Sequence, residues 1–185
     1  MAVTWIGHAS FLIQFTDLNV LIDPNFANWL FLLKRIRRAG MRIRDLPPID
    51  LVLLTHDHYD HFNKQTLRKL PEPKIGVIPW GVGELAQNLG FSRVIELDWW
   101  ESFSQRDWRV TFTPSKHCGA RTLHDRRRGY GGFVLEHQAG RFITPATAPI
   151  SKGSRKSASG WTRKSPCGPS ALAAGEHRIK FDQGT

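Results

Sequence analysis

Six consecutive positions, His56-Asp57-His58-Tyr59-Asp60-His61, carry three imidazoles and two carboxylates, and they follow directly on Ile49-Asp50-Leu51-Val52-Leu53-Leu54. A short apolar run without alternation is what a strand covered on both faces looks like, and such strands belong to layered α/β folds. The polar cluster therefore sits in the loop at the carboxyl end of a buried strand. Alternate residues of an extended loop face the same way, so His56 and His58 can reach one ion while Asp60 and His61 turn toward a second position. Neutral imidazole and carboxylate suit zinc, and also iron or manganese. The competing reading, a solvated polar loop, fits a single histidine better than a cluster this dense.

The rest of the chain supports a layered α/β architecture. Val3–Ile6 and Phe11–Phe15 read as strands around the turn Gly7-His8-Ala9-Ser10, with a third strand at Asn19–Ile22. Asn63 is placed to cap a helix over Lys64–Leu70. A strand at Ile75–Ile78, a helix near Val82–Leu89 closed by Gly90, and a strand at Arg93–Leu97 follow. Further strands are expected at Trp108–Thr113 and Gly132–Glu136, with another beginning at Arg141-Phe142-Ile143.

One loop offers too few ligands for a catalytic ion. The best remote candidate is His117, in Thr113-Pro114-Ser115-Lys116-His117-Cys118 just beyond a strand; with His56 and His58 it makes a three-nitrogen set with an open position for water. Cys118 reads as a spectator thiol beside it. His8, His124, His137 and His177 each read as structural or solvent-exposed.

Charge and composition set limits. The 185-residue chain has a net charge of +10, but residues 143–185 hold seven Lys/Arg against two Asp/Glu, so half the excess lies in the last quarter. A basic tail binds polyanions without specificity, and no specific nucleic acid is expected as partner. Two cysteines are too few for a disulfide framework. Residues 1–5 carry no basic-then-apolar leader pattern, and no run of ~18 apolar residues occurs, so the expected location is the cytoplasm. The stretch Trp29–Arg44, apolar and then basic, has two readings: peripheral contact with an anionic lipid surface, or an insertion packed on the core with solvated arginines.

The motif His56-x-His58-x-Asp60-His61, preceded by Leu21-Ile22-Asp23-Pro24, resembles the metallo-β-lactamase superfamily. Val3–Ala9, Leu46–Asp50, Glu96-Leu97-Asp98-Trp99-Trp100 and Thr113–His117 narrow the likeness to the branch of N-acyl-phosphatidylethanolamine-hydrolysing phospholipase D and the ascorbate phosphate lactonases. The resemblance runs from Val3 to about Phe142 and implies an αββα sandwich whose carboxyl-terminal half is incomplete here. It implies two ions, zinc in the first instance: His56, His58 and His117 on one, Asp60 and His61 on the other. It further implies metal-activated water attacking a phosphodiester, ester or lactone of a small molecule or lipid, with Asp60 orienting the nucleophile and Asp57 supporting the loop. The other readings are an inactive remnant of such an enzyme and a nucleic-acid-acting member of the superfamily.

The likeness stops near residue 143. The family continues with a Gly-Asp-Ser/Thr turn, whose aspartate bridges the ions, and a later histidine; Thr144-Pro145-Ala146-Thr147 stands in place of that turn. Permitted codons for Ile143–Cys167, shifted by one nucleotide, read YAGDSAYFKGFTEIGQRLDPEIAL, which restores the missing turn. Residues 1–142 are accordingly expected to form the metallo-β-lactamase-like domain, and 143–185 a basic tail of low order arising from a frameshift. Weak metal binding at the second position, marginal folding and little activity are expected of the chain as it stands.

Overall fold

The computed structural model describes residues 1–30, 32–71, 74–115 and 128–144. His117, Cys118, His124 and His177, and all of the expected tail beyond Thr144, lie outside the described residues.

The chain enters through three antiparallel strands, β1 (Ala2–Gly7), β2 (Ser10–Gln14) and β3 (Asn19–Ile22). A two-stranded ribbon follows, β4 (Trp29–Leu30) with β5 (Leu33–Lys34), and then a 3-10 turn at Ile43–Asp45. Next come β6 (Leu51–Leu53), α1 (Lys64–Lys69), β7 (Lys74–Pro79), α2 (Gly83–Ala86) and β8 (Phe91–Leu97). β9 (Ser102–Gln105), β10 (Trp108–Thr113), β11 (Gly132–His137) and β12 (Gly140–Thr144) complete the described chain.

These strands form two main sheets, a six-stranded one ordered β1-β2-β3-β6-β7-β8 and a four-stranded antiparallel one ordered β12-β11-β10-β9. In the first, β3, β6, β7 and β8 run parallel. Successive residues of its inner strands go to opposite faces. Ile13, Val20, Ile22, Leu51, Leu53 and Val77 pack toward Val110, Phe112, Phe133, Leu135 and Phe142 of the second sheet. Leu12, Leu21, Val52 and Ile78 face the other way, against Phe62, Leu67, Leu70, Val82, Ala86 and Leu89 on and around the helices. Both faces are apolar because both are covered, and each large side chain taken from water contributes roughly 1.5–3 kcal/mol. The described residues thus supply helix, sheet and sheet, three layers of the αββα sandwich.

Three local expectations need adjusting. The helix near Val82–Leu89 is only Gly83–Ala86, because Asn88 (φ 57°) and Gly90 (φ 75°) take left-handed backbone and turn the chain into β8. The Trp29–Arg44 stretch divides: its β4–β5 ribbon leaves Leu32, Leu33 and Ile36 exposed, while Ala39, Met41 and Ile43 pack against the helix-side core. β9 escaped the sequence pattern because Ser102-Phe103-Ser104-Gln105 has one apolar residue; its pairing with β10 defines it.

Candidate metal centre

β1, β3 and β6 all end at the same edge of the six-stranded sheet, since β1 and β3 each run antiparallel to β2 and β6 is parallel to β3. Open α/β sheets bind ligands at the carboxyl ends of their strands, and here those ends deliver His8, Asp23 and Thr55–His61. The His56–His61 loop is closed by the His61 and Phe62 amides, which both donate to the His58 carbonyl (3.1 and 2.7 Å). Phe62, fully buried, pins the loop to the apolar layer beneath it.

Asp23 organises the centre. Its carboxylate is buried, and Oδ1 accepts from the Thr55 amide at 2.8 Å. Oδ2 accepts from the Thr55 hydroxyl at 2.6 Å and lies 2.8 Å from Nδ1 of His61. A carboxylate only accepts, so His61 carries its proton on Nδ1. The Thr55 hydroxyl has one proton, already given to Asp23. It therefore accepts from Nδ1 of His56, 2.9 Å away. Nε2 of His56 is left as an acceptor, in a 3.1 Å hydrogen bond with Nδ1 of His58. One carboxylate and one hydroxyl thus orient two histidines for a cation, as carboxylate–histidine pairs do in metal sites. This donor set fits a divalent ion.

Asp60 stands at the rim. Its Oδ2 is 2.9 Å from Nε2 of His8 and 3.7 Å from Nε2 of His61. Burial pushes the Asp60 carboxyl up, but the His8 hydrogen bond and the charges on His61 and His8 outweigh it and hold the group well below the usual carboxylate range. Burial pushes the His61 imidazole down, while the charge and hydrogen bond of Asp23, backed by Asp60, prevail and raise it. Asp57 is fully buried and accepts from the Arg128 guanidinium at 2.9 Å.

Arg128 is held by a short strap. The Gly129 amide donates to the Trp80 carbonyl (2.9 Å) and the Gly131 amide to the Thr55 carbonyl (3.0 Å). The Trp99 indole N–H donates to the Tyr130 carbonyl (2.7 Å). Trp99 belongs to the Glu-Leu-Asp-Trp-Trp string, so this part of the motif ties the second sheet to the metal loop.

Of the residues singled out from sequence, the structure gathers His56, His58, Asp60 and His61 into one centre. His137 stands apart, paired with Asp17 at 3.1 Å. His8, read from sequence as structural or solvent-exposed, lies at the centre against Asp60. Asp23 was visible in Leu21-Ile22-Asp23-Pro24, but its role needs contacts 32 and 38 residues away.

Residues 18–158 match the family described as the Beta-lactamase superfamily domain. The chain belongs to that superfamily. It is 30% identical over 160 residues to an N-acyl-phosphatidylethanolamine-hydrolyzing phospholipase D of Caenorhabditis elegans, covering 77% of this chain and 45% of that protein. It is 29% identical over 119 residues to a metal-dependent hydrolase of Methanopyrus kandleri, covering 63% of this chain and 47% of the relative. The chain thus spans less than half the length of these curated relatives. In fold it is similar to CmlA, a diiron β-hydroxylase from Streptomyces venezuelae, with a TM-score of 0.60, 24% identity and coverage of 79% of this chain and 29% of CmlA. Superfamily membership accounts for the metallo-β-lactamase fold. A diiron hydroxylase on the same fold means that the fold alone does not select zinc.

Proposed function

We propose that this chain is a metal-dependent hydrolase acting on a phosphodiester, ester or lactone, with an N-acyl-phosphatidylethanolamine-like lipid as the substrate class, and that zinc is its ion. The observation that carries the reading is the convergence of His56 Nε2 and His58 Nδ1, 3.1 Å apart, with the His56 proton fixed by Thr55 and Asp23. His56 and His58 would hold one ion, with Asp60 and His61 beside it. A divalent ion there supplies Lewis acidity toward water and toward a phosphoryl or carbonyl oxygen.

The chain's own groups do the rest. Asp60 stays ionised and half-buried, an acceptor able to orient an attacking water or take its proton. Asp23 keeps both histidine rings from rotating. Asp57, neutralised by Arg128, adds support under the loop without presenting an unpaired buried charge.

The lipid assignment has its own support. Trp29, Leu32, Leu33 and Ile36 are 57, 93, 72 and 100% exposed, and Lys34, Arg37, Arg38, Arg42 and Arg44 lie in the same stretch of chain. Exposed apolar side chains among basic ones suit the interface of an anionic bilayer. A groove of about 270 Å³ runs from Trp29 and Leu30 to Tyr59, next to the metal loop. No helix among the described residues is long and apolar enough to cross a membrane, so the contact proposed is peripheral.

The test is metal content and hydrolysis on purified 1–185 protein. We expect retained divalent metal, turnover of N-acyl-phosphatidylethanolamine vesicles or a chromogenic phosphodiester, and loss of turnover on chelation. Asp60→Asn should reduce kcat by about 10²–10⁴-fold. A chain that retains no metal, or turnover insensitive to chelator, would overturn the reading. Co-sedimentation with anionic vesicles should weaken in a Leu32→Glu, Ile36→Glu variant; unchanged co-sedimentation would dismiss the lipid contact alone.

A further inference from the structure

Besides the His56–His58 pair, a second set of donors converges at this edge of the sheet. One donor atom each from His8, Asp60 and His61 lies within 4.8 Å of the others. Two of these separations are 2.9 Å, from His8 Nε2 to Asp60 Oδ2, and 3.7 Å, from that oxygen to His61 Nε2. Ligand atoms at about 2.0–2.2 Å from one ion stand roughly 3–3.6 Å apart, so these separations need only small adjustments to close on a cation. Because Nδ1 of His61 is committed to Asp23, its Nε2 is the atom that faces the set.

The backbone aims His8 there. Gly7 (φ 124°) and His8 (φ 53°) both have positive φ, which a histidine adopts uncommonly. The β1–β2 pairing slips between Trp5 and Gly7, and the Trp5 indole N–H donates to the His8 carbonyl at 2.9 Å. Tight hairpin turns commonly use positive φ; the register slip and the indole bond are particular to this one. Together they carry the imidazole over the rim until its ring stands edge-on to His61, centroids 5.4 Å apart.

We propose that His8 is a metal ligand: with Asp60 and His61 it forms the second cation position, built entirely from residues 8–61. This rests on the metal-dependent reading above and changes it in one respect. The resemblance places the closing histidine of this position in the carboxyl-terminal part of the family, whereas here the first turn of the chain supplies one. Two imidazoles and a carboxylate leave a coordination position open, the arrangement of a site that admits water or substrate.

Cobalt(II) binding to the full chain tests this, with His8→Ala, His8→Cys and His56→Ala compared. The His8 side chain is 45% exposed, so the two His8 substitutions leave the core intact. The wild-type chain should take up cobalt and develop visible d–d absorption. His8→Ala should weaken one ion by about 100-fold or more while the other is retained. His8→Cys should produce a thiolate-to-cobalt charge-transfer band in the near ultraviolet, which a residue that merely hydrogen-bonds to Asp60 cannot give. Cobalt bound by His8→Cys as by wild type, without that band, and undiminished stoichiometry in His8→Ala would overturn the assignment; loss of metal in His56→Ala would then leave the metal-dependent reading standing. A wild-type chain that binds no cobalt would overturn both.

Discussion

Asp23 reaches three groups with one buried carboxylate, and its effect on the centre is testable without reference to any substrate. In Asp23→Asn the amide offers one accepting oxygen where the carboxylate offers two. The Thr55 amide, the Thr55 hydroxyl and Nδ1 of His61 then compete for it. A buried donor left without its acceptor costs about 1–3 kcal/mol, and a ligand released from its supporting partner costs about 10–100-fold in metal affinity. We expect both in Asp23→Asn, read as a lower urea midpoint and weaker binding in equilibrium dialysis; metal affinity equal to wild type would show that the histidine tautomers are set by something else. The His56–His61 donors were legible because they fall within six residues after a buried strand. Asp23 and His8 were not, because single-chain spacing carries no information about which strand ends meet at one sheet edge.

Secondary elements tell a similar story. Asn63 was readable as a cap, and its Oδ1 does accept from the Thr66 amide at 2.9 Å. Asn63→Ala should therefore lower stability by about 0.5–2 kcal/mol with metal binding little changed, as measured by denaturant titration. α2 was overextended at its end, where Asn88 and Gly90 take left-handed backbone, and its start is held by a partner far along the chain: the Glu96 carboxylate accepts from the amides of Gly81 (2.9 Å) and Gly83 (2.5 Å). The strap at Gly129–Gly131 was not legible at all, since it has neither periodicity nor length. Its packing leaves no room at Gly131, where a Cβ would meet the Thr113 carbonyl and the Phe112 ring. Gly131→Ala must push the strap from the second sheet, and the Thr55 carbonyl loses its donor. Overpacking of this kind costs about 1–3 kcal/mol. Arg128 should shift from Asp57 with it, so metal affinity should fall as well as stability. Stability lost with affinity intact would make the strap a packing element only.

On the scale of the molecule, the unbroken apolar run Leu51–Leu54 was enough to announce a strand covered on both faces, and the two apolar clusters, one on each side of the six-stranded sheet, bear that out. The last layer is a different matter. Among the described residues β12 is the edge of the second sheet, and Ile143 on it is 57% exposed. An open edge next to exposed apolar surface is ordinarily paired or covered, and Thr144–Ala174 is poor in large apolar residues to cover it with. The continuation YAGDSAYFKGFTEIGQRLDPEIAL, which permitted codons allow one nucleotide away, has both the turn and the apolar pattern to do so. Denaturant slopes scale with the surface exposed on unfolding. A chain carrying the restored frame should accordingly unfold with a larger urea m-value and a higher midpoint than the 185-residue chain, beyond what its added length contributes. Equal slopes and midpoints would mean that residues 143–185 already bury as much as the restored segment does. A genomic DNA sequence without that continuation in any frame would remove the frameshift explanation, leaving the edge of β12, unpaired among the described residues, to be satisfied by a partner or by the tail itself.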